Sequence, residues 1–129
     1  MSKPNAIGDN PISGTWISKV GSTLVISETN GALTGTFQST ESTGTAAIFG
    51  SADPDARNNA RALAFSAYWS GTSPYVTSYT GICKVDTSLN HIQEIEVVFM
   101  IAGSAAEGFP PLWQQTNIGF DTFKRRTST

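Results

Sequence analysis

Turn-forming residues recur at short intervals along this chain, and the stretches between them alternate apolar with polar side chains. Alternation with a period of two places successive side chains on opposite faces, so the pattern specifies antiparallel strands with one face covered. In the first stretch, Gly14 to Val20, Trp16, Ser18 and Val20 share one side and Thr15, Ile17 and Lys19 the other. Gly21-Ser22 turns the chain into Thr23–Glu28. Thr29-Asn30-Gly31 marks a tight hairpin, because Asn-Gly tolerates the positive φ values such a turn requires. Ala32–Ser39 follows, with Leu33, Gly35, Phe37 and Ser39 on one face.

Beyond a Ser/Thr-rich loop, Thr40–Thr45, the pattern continues through Ala46–Ser51 and a polar, exposed connection from Asp53 to Asn59. Arg61–Trp69 then sets Leu63, Phe65, Ala67 and Trp69 on one face. Tyr75–Lys84, Ile92–Ala102 and Asn117–Lys124 complete the set, with a loop from Gly103 to Pro111 before the last. Nothing reads as an amphipathic helix, although Leu112–Gln115 has room for one short turn. Eight strands joined mostly by short turns specify an all-β, eight-stranded antiparallel up-and-down barrel, which leaves no edge unpaired. The competing architecture, a sandwich, calls for longer crossovers than most of these connections supply. At this strand count the interior holds side chains or one small ligand.

The 129 residues fit one domain, large enough to form a core without disulfide or metal. The expected organisation is a flexible segment over 1–12, the barrel over 13–124 and a polar tail over 125–129. A net charge of −2 excludes the basic stripe that nucleic-acid binding needs. The one basic cluster, Lys124, Arg125 and Arg126, precedes Thr127-Ser128-Thr129 and reads as a solvated tail. No apolar run approaches the roughly 20 residues that span a bilayer, and the polar start lacks the hydrophobic segment of a secretory signal. Localisation is therefore left unassigned.

Catalytic readings find little support. The only histidine, His91, sits beside a turn, where exposure is expected. The only cysteine, Cys83, lies on an apolar strand and reads as a small buried hydrophobe. No phosphate loop, metal-ligand spacing or nucleophile elbow occurs. The expectation is a protein that is not an enzyme and uses neither metal nor cofactor.

Gly14-Thr15-Trp16, then Gly21-Ser22-Thr23, then Asn30-Gly31-Ala32-Leu33-Thr34-Gly35-Thr36-Phe37 resemble the opening of the avidin and streptavidin family. Ala62-Leu63 leading to Phe65 and Trp69 continues the likeness, and Trp113 followed by Asp121-Thr122-Phe123 closes it. The resemblance covers about residues 13–124. It implies an eight-stranded barrel, dimeric or tetrameric, that binds biotin at one end, with a Trp lent by a neighbouring subunit. Family members are often secreted.

On that resemblance, Ser22 corresponds to the serine that donates to the ureido oxygen of biotin. Ser18 stands where Asn is usual and Phe37 where Tyr is usual, both normally donors to the same oxygen. Ser39 and Asp121 correspond to the acceptors of the two ureido N–H groups, and Thr77 to the threonine that reaches the thioether sulfur. Val20 replaces a Leu of the apolar wall. Trp69 and Trp113 keep the ring cage, in which Tyr79 and Phe99 stand where Trp is common. Tyr75 falls where a small Ser often meets the ligand carboxylate. The Thr40–Thr45 loop corresponds to the ligand-covering loop, so Thr43 or Thr45 is expected near the valerate tail.

Period-two arithmetic independently groups Ser18 with Trp16, Ser39 with Phe37, Thr77 with Tyr79 and Asp121 with Phe123. Buried polar atoms of this kind need partners, since an unmet one costs about 1–3 kcal/mol. Phe37 lacks a hydroxyl and Ser18 is shorter than Asn, so two donors to the ureido oxygen are impaired. The expected weakening is roughly 2–5 kcal/mol, several powers of ten in affinity. The expected function is thus reversible biotin binding, weaker than in the family's tightest members. Two alternatives stay open: an avidin-like or lipocalin-like barrel reshaped for another small ligand, and a barrel used only for assembly.

Overall fold

The computed structural model describes residues 12–40, 44–55, 57–70, 75–86, 88, 91–103 and 117–126. Eight strands follow in order: β1 (Gly14–Ser18), β2 (Thr23–Thr29), β3 (Ala32–Gln38), β4 (Thr45–Ala52), β5 (Ala60–Trp69), β6 (Tyr75–Asp86), β7 (His91–Gly103) and β8 (Asn117–Arg125). Each pairs antiparallel with its sequence neighbour, and β8 returns to β1 through Trp16↔Arg125, Ile17↔Lys124 and Ser18↔Phe123. The barrel is closed, so every strand has two partners and the up-and-down barrel expected from the alternation is the observed fold. The short helical turn considered at Leu112–Gln115 lies outside the described residues.

Local chemistry sets the turns. Asn30 and Gly31 take φ values of 52° and 87°, the two positive values of a tight hairpin between β2 and β3. Between β1 and β2 the chain doubles back sooner than the alternation suggests. The Ser18 N–H donates to the Ser22 carbonyl at 2.9 Å, and the Gly21 N–H donates to the Ser18 carbonyl at 3.0 Å. β1 therefore ends at Ser18, and Lys19-Val20 form a turn instead of extending the strand. β6 and β7 are longer than expected because their pairing absorbs a register shift at Lys84/Val85 and runs on to Asp86↔His91.

Inward positions follow the parity of the sequence pattern. Trp16, Leu24, Leu33, Ile48, Leu63, Ile95 and Phe123 are all buried in one continuous core. Gly81 shares the inward face of β6, and a Cβ there would collide with the Glu96 carbonyl across the β6–β7 pairing. The missing side chain is what lets the two strands approach.

One end of this core is sealed by charge. Arg61, at the start of the inward row of β5, is completely buried and forms an ion pair with Glu28 of β2, whose side chain is also buried. Arg61 donates through Nε to the Asp53 carbonyl at 2.8 Å and through a second nitrogen to Glu28 Oε1 at 3.0 Å. Glu28 Oε1 also accepts from the Ile12 N–H at 3.1 Å, and the Ser13 hydroxyl accepts from the Glu28 N–H at 2.8 Å. Ile12 itself is fully buried and belongs to the core cluster.

Arg125 corrects the reading of the basic cluster as a solvated tail. It is the last residue of β8 and donates to the Ile92 carbonyl at 2.8 Å and the Ser13 carbonyl at 3.0 Å. Its guanidinium lies 4.3 Å from the Trp16 ring centroid. Partial burial holds its pKa below the usual arginine value. Lys124 and Arg126 are exposed, as expected.

Candidate functional site

At the opposite end from Arg61, the ends of β3, β5 and β7 and the starts of β2, β6 and β8 surround a cavity of about 460 Å³. That lies within the roughly 300–1,000 Å³ range of small-molecule sites. Its position follows from connectivity: in an up-and-down barrel these strand termini all reach the same rim.

The floor is aromatic. Tyr79 stacks on Phe65 with ring centroids 4.7 Å apart and also meets Phe37 at 5.6 Å, Phe99 at 5.9 Å and Phe123 at 6.5 Å. Phe37 packs edge-on against Trp69 at 5.6 Å and Phe123 at 5.7 Å. Such contacts restrict ring motion, so the walls are formed in advance of any ligand. Phe37, Trp69, Tyr79 and Phe99 line the cavity, whereas Phe65 and Phe123 support them from below. At the mouth, Tyr75 stacks on Trp69 at 5.9 Å, placing a ring where the family resemblance led to a small hydroxyl residue.

Polar groups converge on the same space. Ser22, Ser39, Thr77 and Asp121 line the cavity. The Ser22 hydroxyl oxygen accepts from the Thr40 N–H at 3.2 Å. That bond orients the oxygen and leaves its hydrogen able to donate. Asp121 Oδ1 accepts from the Thr122 N–H at 2.8 Å, which fixes the carboxylate at the wall. Burial pushes the Tyr79 hydroxyl well above the usual phenol pKa; hydrogen bonding with Thr77 opposes this and the nearby Asp121 charge adds to it. Tyr79 therefore brings a neutral hydroxyl, as well as a ring, to a cavity that already holds a carboxylate.

Two expected residues sit differently. Ser18 is buried, with its Oγ accepting from the Ser22 N–H at 3.0 Å, and it is not among the cavity-lining residues. Its geometry shapes the β1–β2 turn that carries Ser22. Val20 touches the cavity but is 63% exposed, because the early turn lifts it to the rim instead of leaving it in an inner wall. Thr43 and Trp113 lie outside the described residues.

The sequence reading passed over Lys19, Ile101 and Phe120 as lining residues. It also missed Arg61, Glu28 and Arg125 at the far end. Parity offered a signal for two of them: Arg61 is in phase with Leu63 and Phe65, and Glu28 with Leu24 and Ile26. Cys83 behaves as expected: it is fully buried, and burial pushes its thiol up to about 12, leaving it protonated and unreactive near neutrality. His91 is half-buried at the start of β7.

The chain is thus a closed antiparallel eight-stranded barrel with an aromatic, hydroxyl-rich cavity at one end. The family model described as Avidin family matches residues 7–126, and the chain belongs to that family. No curated protein matches it in a direct comparison.

Proposed function

We propose that the cavity binds biotin, reversibly and more weakly than the family's tightest members, without catalysis and without metal or cofactor. The observation that carries this reading is the convergence of Ser22, Ser39, Thr77 and Asp121 with the Phe37, Trp69, Tyr79 and Phe99 rings on one cavity. A ureido group has one carbonyl oxygen and two N–H donors. Ser22 supplies a donor to the oxygen, and Ser39 and Asp121 supply acceptors to the N–H groups. Thr77 faces the thioether, and the rings enclose the apolar body. Ser18 acts at one remove, by holding the Ser22 turn, and Phe37 contributes surface but no donor. Fewer donors around the ureido oxygen make the complex reversible.

Val20 at the rim, with Thr43 of the β3–β4 loop, completes the proposed contact set around the tail. The Tyr75 ring over Trp69 supports the alternative of a cavity reshaped for a different small ligand. Titration calorimetry separates the two: biotin heat with a rise in melting temperature supports the first, and no response to biotin favours the second.

We further propose a homo-oligomer, dimer or tetramer, in which Trp113 reaches a neighbour's cavity. Val98, Met100, Ile118 and Phe120 point outward from paired positions of β7 and β8, and Phe120 is 83% exposed. Contiguous apolar surface of this kind is what an interface between copies covers. No nucleic-acid or membrane partner enters the proposal.

A further inference from the structure

Phe99 and Gly119 are register partners across the β7–β8 pairing, and Gly119 shares the inward row of β8 with Asp121 and Phe123. A Cβ on Gly119 would stand 2.5 Å from Phe99 Cζ and 2.9 Å from its Cε2, so the far edge of the ring rests over the glycine. At Gly35, Gly50 and Gly81 a Cβ would first meet the backbone of a neighbouring strand. At Gly119 the three nearest atoms all belong to one cavity-lining ring. The φ of Gly119 is not positive, so its backbone is open to other residues. It is the ring that needs the glycine.

Little room exists for the ring elsewhere. Tyr79 pairs with Phe99 from β6, with the ring centroids 5.9 Å apart. Buried Val97 and cavity-lining Ile101 hold the inward positions on either side of Phe99 along β7. The open direction is the cavity. Because β8 enters at the rim, the Phe99–Gly119 level stands between the mouth and Asp121.

We propose that Gly119 determines specificity by width: it lets Phe99 lie back against β8 and so keeps the approach to Asp121 open to a fused two-ring head. The proposal rests on the biotin reading of this cavity and adds what separates two-ring from single-ring ureido ligands there. A side chain at position 119 would swing the ring into the cavity, since turning one ring between rotamers costs less than displacing a paired strand. The passage narrows, while Ser22, Ser39 and Asp121 keep their places. A single-ring head still reaches them, and a two-ring head does not fit beside the displaced ring. Gly119 is not itself a lining residue, so it acts through Phe99 as a positioning residue.

The test compares biotin with desthiobiotin, which keeps the ureido ring and the carboxylate tail and lacks the sulfur ring. Both are titrated calorimetrically into the unaltered protein, Gly119→Ala, Phe99→Ala and the double variant, with circular dichroism to follow the fold. In Gly119→Ala, biotin is expected to weaken by about tenfold or more and desthiobiotin by about threefold or less. With Phe99→Ala already in place, adding Gly119→Ala should change either ligand by less than about twofold, because the ring it displaces is gone. Equal weakening of both ligands, no weakening of biotin, or the same loss with Phe99 already removed would overturn the role of Gly119. So would an unaltered protein that takes desthiobiotin alone. Loss of the fold in Gly119→Ala would overturn it as well, since the ring could then not relieve the collision by turning. An unaltered protein that binds neither molecule would instead overturn the biotin reading, and this proposal with it.

Discussion

Phe37 meets Trp69, Tyr79 and Phe123 and borders the cavity with a ring edge that carries no hydroxyl. Phe37→Tyr should restore a donor and tighten biotin by about 0.5–1.5 kcal/mol, roughly two- to twelvefold, read by calorimetry. Asp121→Ala should act in the opposite direction. Loss of a charged acceptor weakens binding by about 1.5–3 kcal/mol, at least tenfold, with little change in fold because Asp121 lies at the cavity wall. Cys83 supplies a pH test. Its folded pKa is raised from 9 to about 12, so the unfolded chain loses its thiol proton first as pH rises. Stability from this group is complete below pH 9 and declines between pH 9 and about 12, which denaturant titrations in that range should show. At the sealed end, Arg61→Ala leaves Glu28 buried without its cation. A loss of about 3–5 kcal/mol is expected in unfolding measurements. Inward parity made Ser39, Thr77 and Asp121 legible in the sequence. Arg61 and Glu28 escaped because 33 positions separate them, and each alone resembles an exposed strand residue. Only the register that carries β2 and β5 around one barrel brings them together.

The strands themselves were readable to within one or two residues, because alternation and turn chemistry agree along most of the chain. The Asn30-Gly31 hairpin is the clearest case, and it gives a test at the scale of the element. Gly31→Ala would place a Cβ at φ 87° and 2.7 Å from the Ala52 carbonyl, so the hairpin must shift or strain. A cost of about 1–3 kcal/mol is expected, visible as a lower midpoint in urea. The β1–β2 turn was less legible. Ser18, Lys19 and Val20 continue the alternation without interruption, and nothing in their order reveals that hydrogen bonds from Ser22 and Gly21 close the turn early. That local event moves Val20 to the rim and brings Lys19 to the cavity mouth. Arg125 posed a similar difficulty: a basic residue near a polar terminus matches a solvated tail until closure of β8 on β1 places it over Trp16.

At the scale of the whole molecule, closure gives the barrel two dissimilar ends. The Arg61–Glu28 pair, Ile12 and Arg125 fill one, and aromatic rings with hydroxyls and a carboxylate surround an open volume at the other. The fold was legible because eight short strands with short connections leave few topologies, and a closed sheet alone removes every edge. The exposed apolar surface was legible only as a tendency on β7, whereas Ile118 and Phe120 extend it onto β8. Light scattering with size exclusion should give a mass of two or four chains, and Phe120→Glu should lower it. The most direct test of the central claim is calorimetric titration with biotin, paired with melting temperature at rising biotin concentration. Saturable, reversible heat and a melting temperature that climbs with ligand are expected. Absence of both at millimolar biotin would contradict it.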